Sequence, residues 1–172
     1  SGTTQKPHPL ITYQEAVAFK QQLDNPFAKT SISMNVASSA EVKYENKKTD
    51  PLAVVIGVDE YYVGNSGLEV EEGHNFSDFD IQNNSYVCVI GPDFKKTLLK
   101  DVNPLGKSIS VRGYKFKVIG ILKEQSSSFG NYENFQVLIP LGIARSIFPI
   151  DNPNFQLKIS AQSKDQLDGL ID

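Results

Sequence analysis

The stretch from Asn103 to Glu124 constrains the fold more than any other part of this 172-residue sequence. It opens with an Asn-Pro-Leu-Gly turn, in which the proline fixes φ and the glycine can adopt the positive φ that chain reversal requires. Two segments of period two follow, Ser108–Val111 and Lys115–Leu122, and the Arg-Gly pair between them belongs at a hairpin turn. Ile119 and Ile121 make the second segment apolar on both faces. The stretch therefore predicts a β-hairpin whose second strand lies in the middle of a sheet.

The same stretch contains Gly106-Lys107-Ser108, which is the end of a phosphate-binding loop motif. The motif also needs a glycine five residues earlier, where this chain has Asp101, and a helix directly afterwards to hold the phosphate. An aspartate at that position would repel phosphate, and the pattern that follows predicts a strand. We interpret the tripeptide as a turn that leads into a strand.

Elsewhere the sequence predicts short helices and strands in a mixed order. The capping box Thr12-Tyr13-Gln14-Glu15 predicts a helix that ends before Asn25-Pro26, with Ala16, Phe19 and Leu23 on its buried stripe. A second helix is predicted after Gly91-Pro92-Asp93, with Phe94, Leu98 and Leu99 facing inward. Two more are predicted, one over Leu141–Phe148 and one that begins at a second capping box, Ser163–Gln166. Strands are predicted in one or two segments between Ile32 and Glu45, and over Leu52–Val58, Tyr86–Ile90, Phe135–Ile139 and Phe155–Ile159. Loops are predicted over residues 46–51, 64–80 and 126–131.

This order of elements predicts an α+β fold with two parts. Strand and helix patterns at both ends of the chain suggest an outer β-α-β subdomain formed by residues 1–55 and 150–172. The middle of the chain, residues 56–149, has apolar strands of its own and is predicted to be a smaller β-rich subdomain inserted into the outer one.

Composition and charge exclude several classes of function. The chain carries 17 basic and 20 acidic residues, a net charge of -3, which lacks the basic excess of a nucleic-acid-binding surface. No apolar run approaches the ~18 residues of a membrane span. The single cysteine, Cys88, lies inside the apolar run Tyr86–Ile90, which predicts a buried thiol rather than a nucleophile. The patternless first residues and the helical pattern at the very end lead us to expect a segment of a larger protein.

The sequence offers few residues for catalysis. Its most acidic stretch contains ligand types for a metal in Glu71, Glu72, His74, Asp78 and Asp80, but it lacks the spacing of a calcium loop or a helical zinc site. We predict a solvated loop there with Phe76 beneath it. The chain has no Gly-x-Ser-x-Gly elbow, Cys-x-x-Cys pair or His-Glu-x-x-His helix, so we predict no catalytic residue, no cofactor and no metal ligand.

Several segments form an ordered pattern along the chain, namely Gly57–Tyr62, Gly67–Phe76, Val89–Gly91 with the helix after it, Asn103–Ile109, Phe116–Lys123 and Val137–Leu141. Taken in this order, they resemble the extracytoplasmic domain of MacB/FtsX-like ABC transporter permeases, the MacB-like periplasmic core domain. The sequence departs from the family pattern at His74, where arginine is usual, which leaves the subfamily open.

The resemblance implies a non-catalytic, periplasmic domain between the first two membrane helices of a bacterial inner-membrane permease. Its outer part would be porter-like, and the domain would transmit conformational change to a substrate or partner during export or efflux. The implied partners are an ABC ATPase subunit or domain of the same transporter, a second permease copy held through the membrane helices, and a periplasmic adaptor protein. The isolated domain is then expected to be a monomer and to bind no nucleic acid.

A second hypothesis is a secreted module that binds a glycan or a peptide. Its binding surface would be the loop from Ser126 to Tyr132, where Phe129 and Tyr132 are either contact residues or anchors of the loop.

Overall fold

The computed structural model describes residues 11–126, 132–148 and 153–159. The helices in this part of the chain are α1 (Tyr13–Leu23), α2 (Tyr62–Asn65), α3 (Asp78–Gln82), α4 (Asp93–Lys96) and α5 (Leu141–Ile147), with a 3-10 helix over Tyr132–Phe135. The strands are β1 (Thr30–Ala40), β2 (Val42–Tyr44), β3 (Lys47–Lys48), β4 (Ala53–Val58), β5 (Val70–Gly73), β6 (Val87–Ile90), β7 (Ser108–Val111), β8 (Tyr114–Leu122), β9 (Gln136–Pro140) and β10 (Phe155–Ile159).

These strands form one mixed sheet, in the order β10-β1-β4-β9-β6-β8-β7-β2-β3, with β5 paired to β8. The predicted hairpin is confirmed, because β7 and β8 pair in register from Ser108↔Lys117 to Val111↔Tyr114. Arg112 and Gly113 turn the chain with φ values of 50° and 86°, the positive pair that a tight hairpin turn requires. As predicted, β8 is an interior strand, with β7 on one side and β6 on the other.

The sheet curls back on itself. Glu41 is the only residue between β1 and β2, yet five strands lie between these two in the sheet order. The pairing of β1 with β4 shifts register twice, between Asn35 and Ala37 and between Ala37 and Ala40, and such bulges bend a strand. β1 and β2 together therefore join two distant parts of the same sheet.

Each face of the sheet carries a hydrophobic core. The larger core lies under α1, α4 and α5, and the smaller one lies under α2 and α3. Alternation along β4 shows the division, because Ala53 and Val55 face the larger core whereas Ile56 and Val58 face the smaller one. β4 is buried on both sides, as its continuous apolar run predicted.

Helix α1 begins where the capping box predicted, since the Thr12 side chain accepts a hydrogen bond from the Glu15 N–H at 3.1 Å. Its predicted buried stripe is wrong. Phe19 and Leu23 are 45% and 37% exposed, and only Ala16 of the three is buried. The helix turns its other stripe inward, and Tyr13 and Val17 pack against the larger core.

Three short elements occupy stretches that the sequence predicts as loops, namely β3, β5 and α3. The two strands are polar and exist because a neighbouring strand pairs with them, β2 in one case and β8 in the other. Helix α3 begins at a capping box in which Ser77 accepts from the Asp80 N–H and Asp80 accepts from the Ser77 N–H. That Ser-x-x-Asp spacing is a sequence signal for a helix start.

Helices α4 and α5 and the apolar strands β4, β6, β9 and β10 lie where they were predicted. The helix predicted from Ser163 lies outside the described residues. The predicted boundary between residues 55 and 56 falls inside β4, and strands of both predicted subdomains pair in one sheet. The division into two subdomains stays a prediction.

Candidate functional site

The acidic stretch forms a polar surface in which several side chains have structural roles. Glu72 pairs with Lys95 at 2.8 Å, Asp80 caps α3, and His74 Nδ1 lies 2.9 Å from the carbonyl oxygen of its neighbour Asn75. No group of three or more His, Cys, Asp or Glu side chains in the described ranges is arranged to hold a metal ion. Phe76 is buried beneath this surface, as predicted.

The structure also shows where the other residues considered for a function lie. Cys88 is fully buried and burial raises the pKa of its thiol, which confirms the prediction of a structural cysteine. Gly106 adopts a φ of 85° in the predicted turn, and strand β7 begins two residues later at Ser108, as predicted. Of the proposed binding loop, Phe129 lies outside the described residues, and the backbone of Tyr132 starts the 3-10 helix.

Next to that loop, Asn134 holds two chain segments together. Its buried side-chain amide accepts from the Gln125 N–H at 2.8 Å and donates to the Gln125 carbonyl at 3.0 Å. The amide thus imitates the backbone pairing of an adjacent strand and fixes both ends of the segment between residues 125 and 134.

A buried carboxylate lies where α1, β1, β4 and α2 meet, and sequence reasoning did not single it out. Asp59 directly follows β4 and accepts hydrogen bonds from the backbone N–H groups of Ile32 at 2.7 Å and Tyr61 at 3.1 Å. Lys20 of α1 lies 3.9 Å away and also donates to the Thr30 carbonyl. Desolvation by burial outweighs these favourable contacts and raises the pKa of Asp59 to about 6. Through these contacts the Asp59 carboxylate ties α1, β1 and the start of α2 together.

A second junction joins the two ends of the described chain. The rings of Tyr13 in α1 and Phe155 in β10 lie 5.5 Å apart at their centroids, and the Arg145 guanidinium lies 3.4 Å from the Tyr13 ring centroid. Cation–π and ring contacts of this kind are worth about 0.5–2 kcal/mol each. Helices α1 and α5 are therefore held against strand β10 on one face of the sheet.

A groove of about 1200 Å³ lies between the β2–β3 hairpin and α4. Leu98 and Phe135 line its floor, and the exposed side chain of Leu52 stands at its wall. Lys47 and Asp101 form an ion pair at 3.2 Å at its rim. The groove is lined by both apolar and charged groups, but it brings together no catalytic constellation.

None of the helices in the described ranges has the length and hydropathy needed to cross a bilayer. The family model described as the MacB-like periplasmic core domain matches residues 1–172. Among curated proteins, the chain is 35% identical over 104 residues to the macrolide export ATP-binding/permease protein MacB of Neisseria gonorrhoeae, covering 60% of the chain and 16% of that protein. It is 28% identical over 158 residues to the pyoverdine export ATP-binding/permease protein PvdT of Pseudomonas fluorescens, covering 90% of the chain and 23% of that protein.

Two solved structures share the fold. The periplasmic region of MacB from Actinobacillus actinomycetemcomitans aligns with a TM-score of 0.69 at 20% identity, covering 99% of this chain and 78% of that one. The extracellular domain of the transporter YknZ from Gram-positive bacteria aligns with a TM-score of 0.62 at 21% identity, covering 93% of this chain and 84% of that one. The chain spans about a sixth to a quarter of the curated relatives named above. On the strength of the family model, the chain belongs to the MacB-like periplasmic core domain family, the extracytoplasmic domain of ABC transporter permeases.

Proposed function

We propose that this domain transmits conformational change from the membrane helices of an ABC transporter permease to a substrate or partner outside the inner membrane. ATP would be hydrolysed by an ATPase subunit or domain of the same transporter. Two permease copies would work together through their membrane helices, and a periplasmic adaptor protein would complete the export route. The names of the relatives, macrolide export and pyoverdine export, support an export role.

The observation that carries this proposal is the way in which α1 and β10 meet. These are the first and last described elements, and both pack against β1. β10 pairs with β1 at five positions from Thr30↔Ile159 to Met34↔Phe155, and α1 contacts β10 through the Tyr13 and Phe155 rings. A displacement applied through either end of the domain therefore acts on the same strand.

β1 is suited to pass such a displacement onward. It is hydrogen-bonded to β4 along most of its length, and it continues through Glu41 into β2 in a distant part of the sheet. Close-packed cores on both faces resist local bending, so a displacement passes along the sheet instead of being absorbed where it is applied. Within it, a porter-like outer part and an inserted β-rich part are our proposal for how the motion is divided.

The proposal is tested in the full-length transporter, reconstituted with its ATPase in nanodiscs. A spin label at Asn46→Cys, in the exposed turn between β2 and β3, reports the distance between the two copies with and without trapped ATP. We expect this distance to change with nucleotide. A flexible Gly-Ser insertion directly before Thr12 should reduce the change while ATP hydrolysis persists.

The matched control places the same insertion in the exposed Arg112-Gly113 turn, which lies within the domain and should leave the distance change intact. A distance that does not respond to ATP in the protein without insertion would contradict the proposal. Equal loss from both insertions would show that the domain is merely sensitive to added residues.

A further inference from the structure

A basic face covers the outward side of the four-stranded ribbon β3-β2-β7-β8. Directly opposite residues on antiparallel strands point to the same side of a sheet. The neighbouring residues Ile109, Val111 and Phe116 point into the larger core, so the opposite set points to solvent. By register, that outward set contains Lys48 opposite Lys43, Lys43 opposite Ser110, Ser110 opposite Lys115, and Ser108 opposite Lys117. We call the surface of Lys43, Lys48, Lys115 and Lys117 the lysine face.

The lysine face is only partly neutralised. Glu41 lies 3.7 Å from both Lys43 and Lys48. Lys115 and Lys117 are exposed and form no ion pair with any carboxylate in the described ranges. Residues 41–48 and 107–117 together hold seven basic and two acidic side chains, a net charge of +5, in a chain whose total is -3. The remainder of the chain therefore carries -8, and positive charge is concentrated on this ribbon.

The arrangement costs stability, because like charges directly opposite each other destabilise a pair of strands, and Lys43 faces Lys48. One structural explanation is that lysine on an edge strand prevents pairing with other chains. That explanation covers Lys48, since β3 is the edge strand, and also Lys115, because β6 and β5 pair with β8 only from Lys117 onward. It does not cover Lys117, which lies opposite Ser108 of β7 and Val87 of β6, where β8 has no free edge. An exposed charge at that position, beside three other lysines, points to a partner.

We propose that the lysine face is a docking surface for an acidic segment of a partner protein. The ammonium groups and the Ser108 and Ser110 hydroxyls are donors suited to carboxylates, and the face has no apolar side chain among its members. Binding would therefore be reversible, rapid and sensitive to salt.

A membrane surface of anionic lipids offers similar charge, but the composition and the position of the lysine face argue against it. The face has no apolar or aromatic member that could insert between lipids. β10 ends at Ile159, opposite Thr30 at the start of β1, whereas β2 follows the last residue of β1. This step rests on the proposed function, in which both ends of the domain continue into membrane helices. The lysine face then lies beyond the far end of β1 from Ile159, where a protein in the extracytoplasmic space can reach it.

The test uses the 172-residue chain, whose counterparts in relatives have been crystallised as separate regions. Binding of a fluorescent poly-glutamate peptide is measured by anisotropy at low and high salt, in parallel with sedimentation on phosphatidylglycerol vesicles. The variant Lys43→Gln/Lys115→Gln/Lys117→Gln removes three charges from the lysine face. The control Lys95→Gln/Lys96→Gln/Lys123→Gln removes three exposed lysines elsewhere, each paired with a glutamate.

We expect the lysine-face variant to bind the peptide about tenfold more weakly than the parent chain. The control variant should bind about as tightly as the parent chain. Added salt should weaken the binding of the parent chain and of the control. Equal losses in the two variants would overturn the proposal, as would no binding of the parent chain. Binding to vesicles but not to the peptide, lost with the lysine-face variant, would assign the face to the membrane and also overturn it. Because neither ATP nor a membrane helix is involved, this result is independent of the label-distance experiment.

Discussion

Gly57 of β4 and Ala144 of α5 lie so close that a Cβ atom on Gly57 would be 2.5 Å from the Ala144 Cβ. Carbon atoms pack at about 3.5–4.0 Å, so this position of the strand has no room for a side chain. The contact sets how closely α5 approaches the sheet.

A double-mutant cycle tests this contact. We expect Gly57→Ala to destabilise the domain by about 1–3 kcal/mol through overpacking, and Ala144→Gly to cost about 1 kcal/mol through helix propensity. Ala144→Gly removes the methyl group with which the new side chain would clash. The double variant should therefore be more stable than the sum of the two single-variant losses predicts, with a coupling free energy of about 0.5–3 kcal/mol. Urea unfolding of the four proteins measures it, and strict additivity would contradict the contact.

Gly120 of β8 faces the backbone of His74, the residue directly after β5. A Cβ on Gly120 would lie 2.5 Å from the carbonyl oxygen of His74, whereas a Cβ on Gly64 in α2 would meet nothing within 4 Å. We expect Gly120→Ala to lower the free energy of unfolding by about 1–3 kcal/mol, because backbone atoms cannot rotate away. Gly64→Ala is the matched control and should be neutral or stabilising by up to about 1 kcal/mol. Equal effects in urea unfolding would show that close strand approach is not the cause.

Asp59 should make the stability of the domain depend on pH. Its pKa is raised from 3.8 to about 6 in the folded state, chiefly by desolvation. Between these values the folded protein binds more protons than the unfolded chain, so the free energy of unfolding falls as pH rises, by up to about 3 kcal/mol. The stabilisation is fully present below about pH 4 and is lost above about pH 6.

Urea unfolding at a series of pH values separates this contribution from others. Asp59→Asn should remove the fall in stability between pH 4 and 6, although it also sacrifices one acceptor for the Ile32 and Tyr61 N–H groups. Asp50→Asn, at an exposed position, controls for the loss of one carboxylate. A fall of equal size in the Asp59→Asn protein would refute the assignment.

Cys88 should be inert in the folded domain because its thiol is buried and the thiolate is disfavoured. We expect no reaction with Ellman's reagent at pH 8 over minutes and complete reaction in denaturant. An exposed thiol introduced by Asn46→Cys provides the positive control. Rapid modification of the native domain would mean that strand β6 opens readily.

Local patterns predicted the elements whose signal is carried within a few residues. The hairpin of β7 and β8 follows from alternation plus the Arg112-Gly113 turn, and the start of α1 follows from its capping box. The family resemblance was predicted in the same way, from ordered segments, and the family model confirms it.

What the sequence did not predict depends on distant partners. The face that α1 buries is set by Phe155 and Arg145, more than a hundred residues later, and local periodicity alone favoured the wrong stripe. β3 and β5 are strands because of what lies beside them. The burial of Asp59 depends on the elements that the fold packs around it, so the sequence pattern did not predict it. A carboxylate directly after a buried strand was the one local signal that indicated it. The lysine face is likewise a product of register, since its members come from three strands.

The place of β1 in the sheet also has a consequence for biosynthesis. One neighbour, β4, follows within a few tens of residues, but the other, β10, comes last among the described elements. Until residues 155–159 have emerged, β1 presents an open edge over the five residues Thr30–Met34, with Ile32 and Met34 incompletely covered. Such an edge is prone to pair with other chains. A nascent chain of this domain therefore depends most on protection by chaperones just before β10 is made.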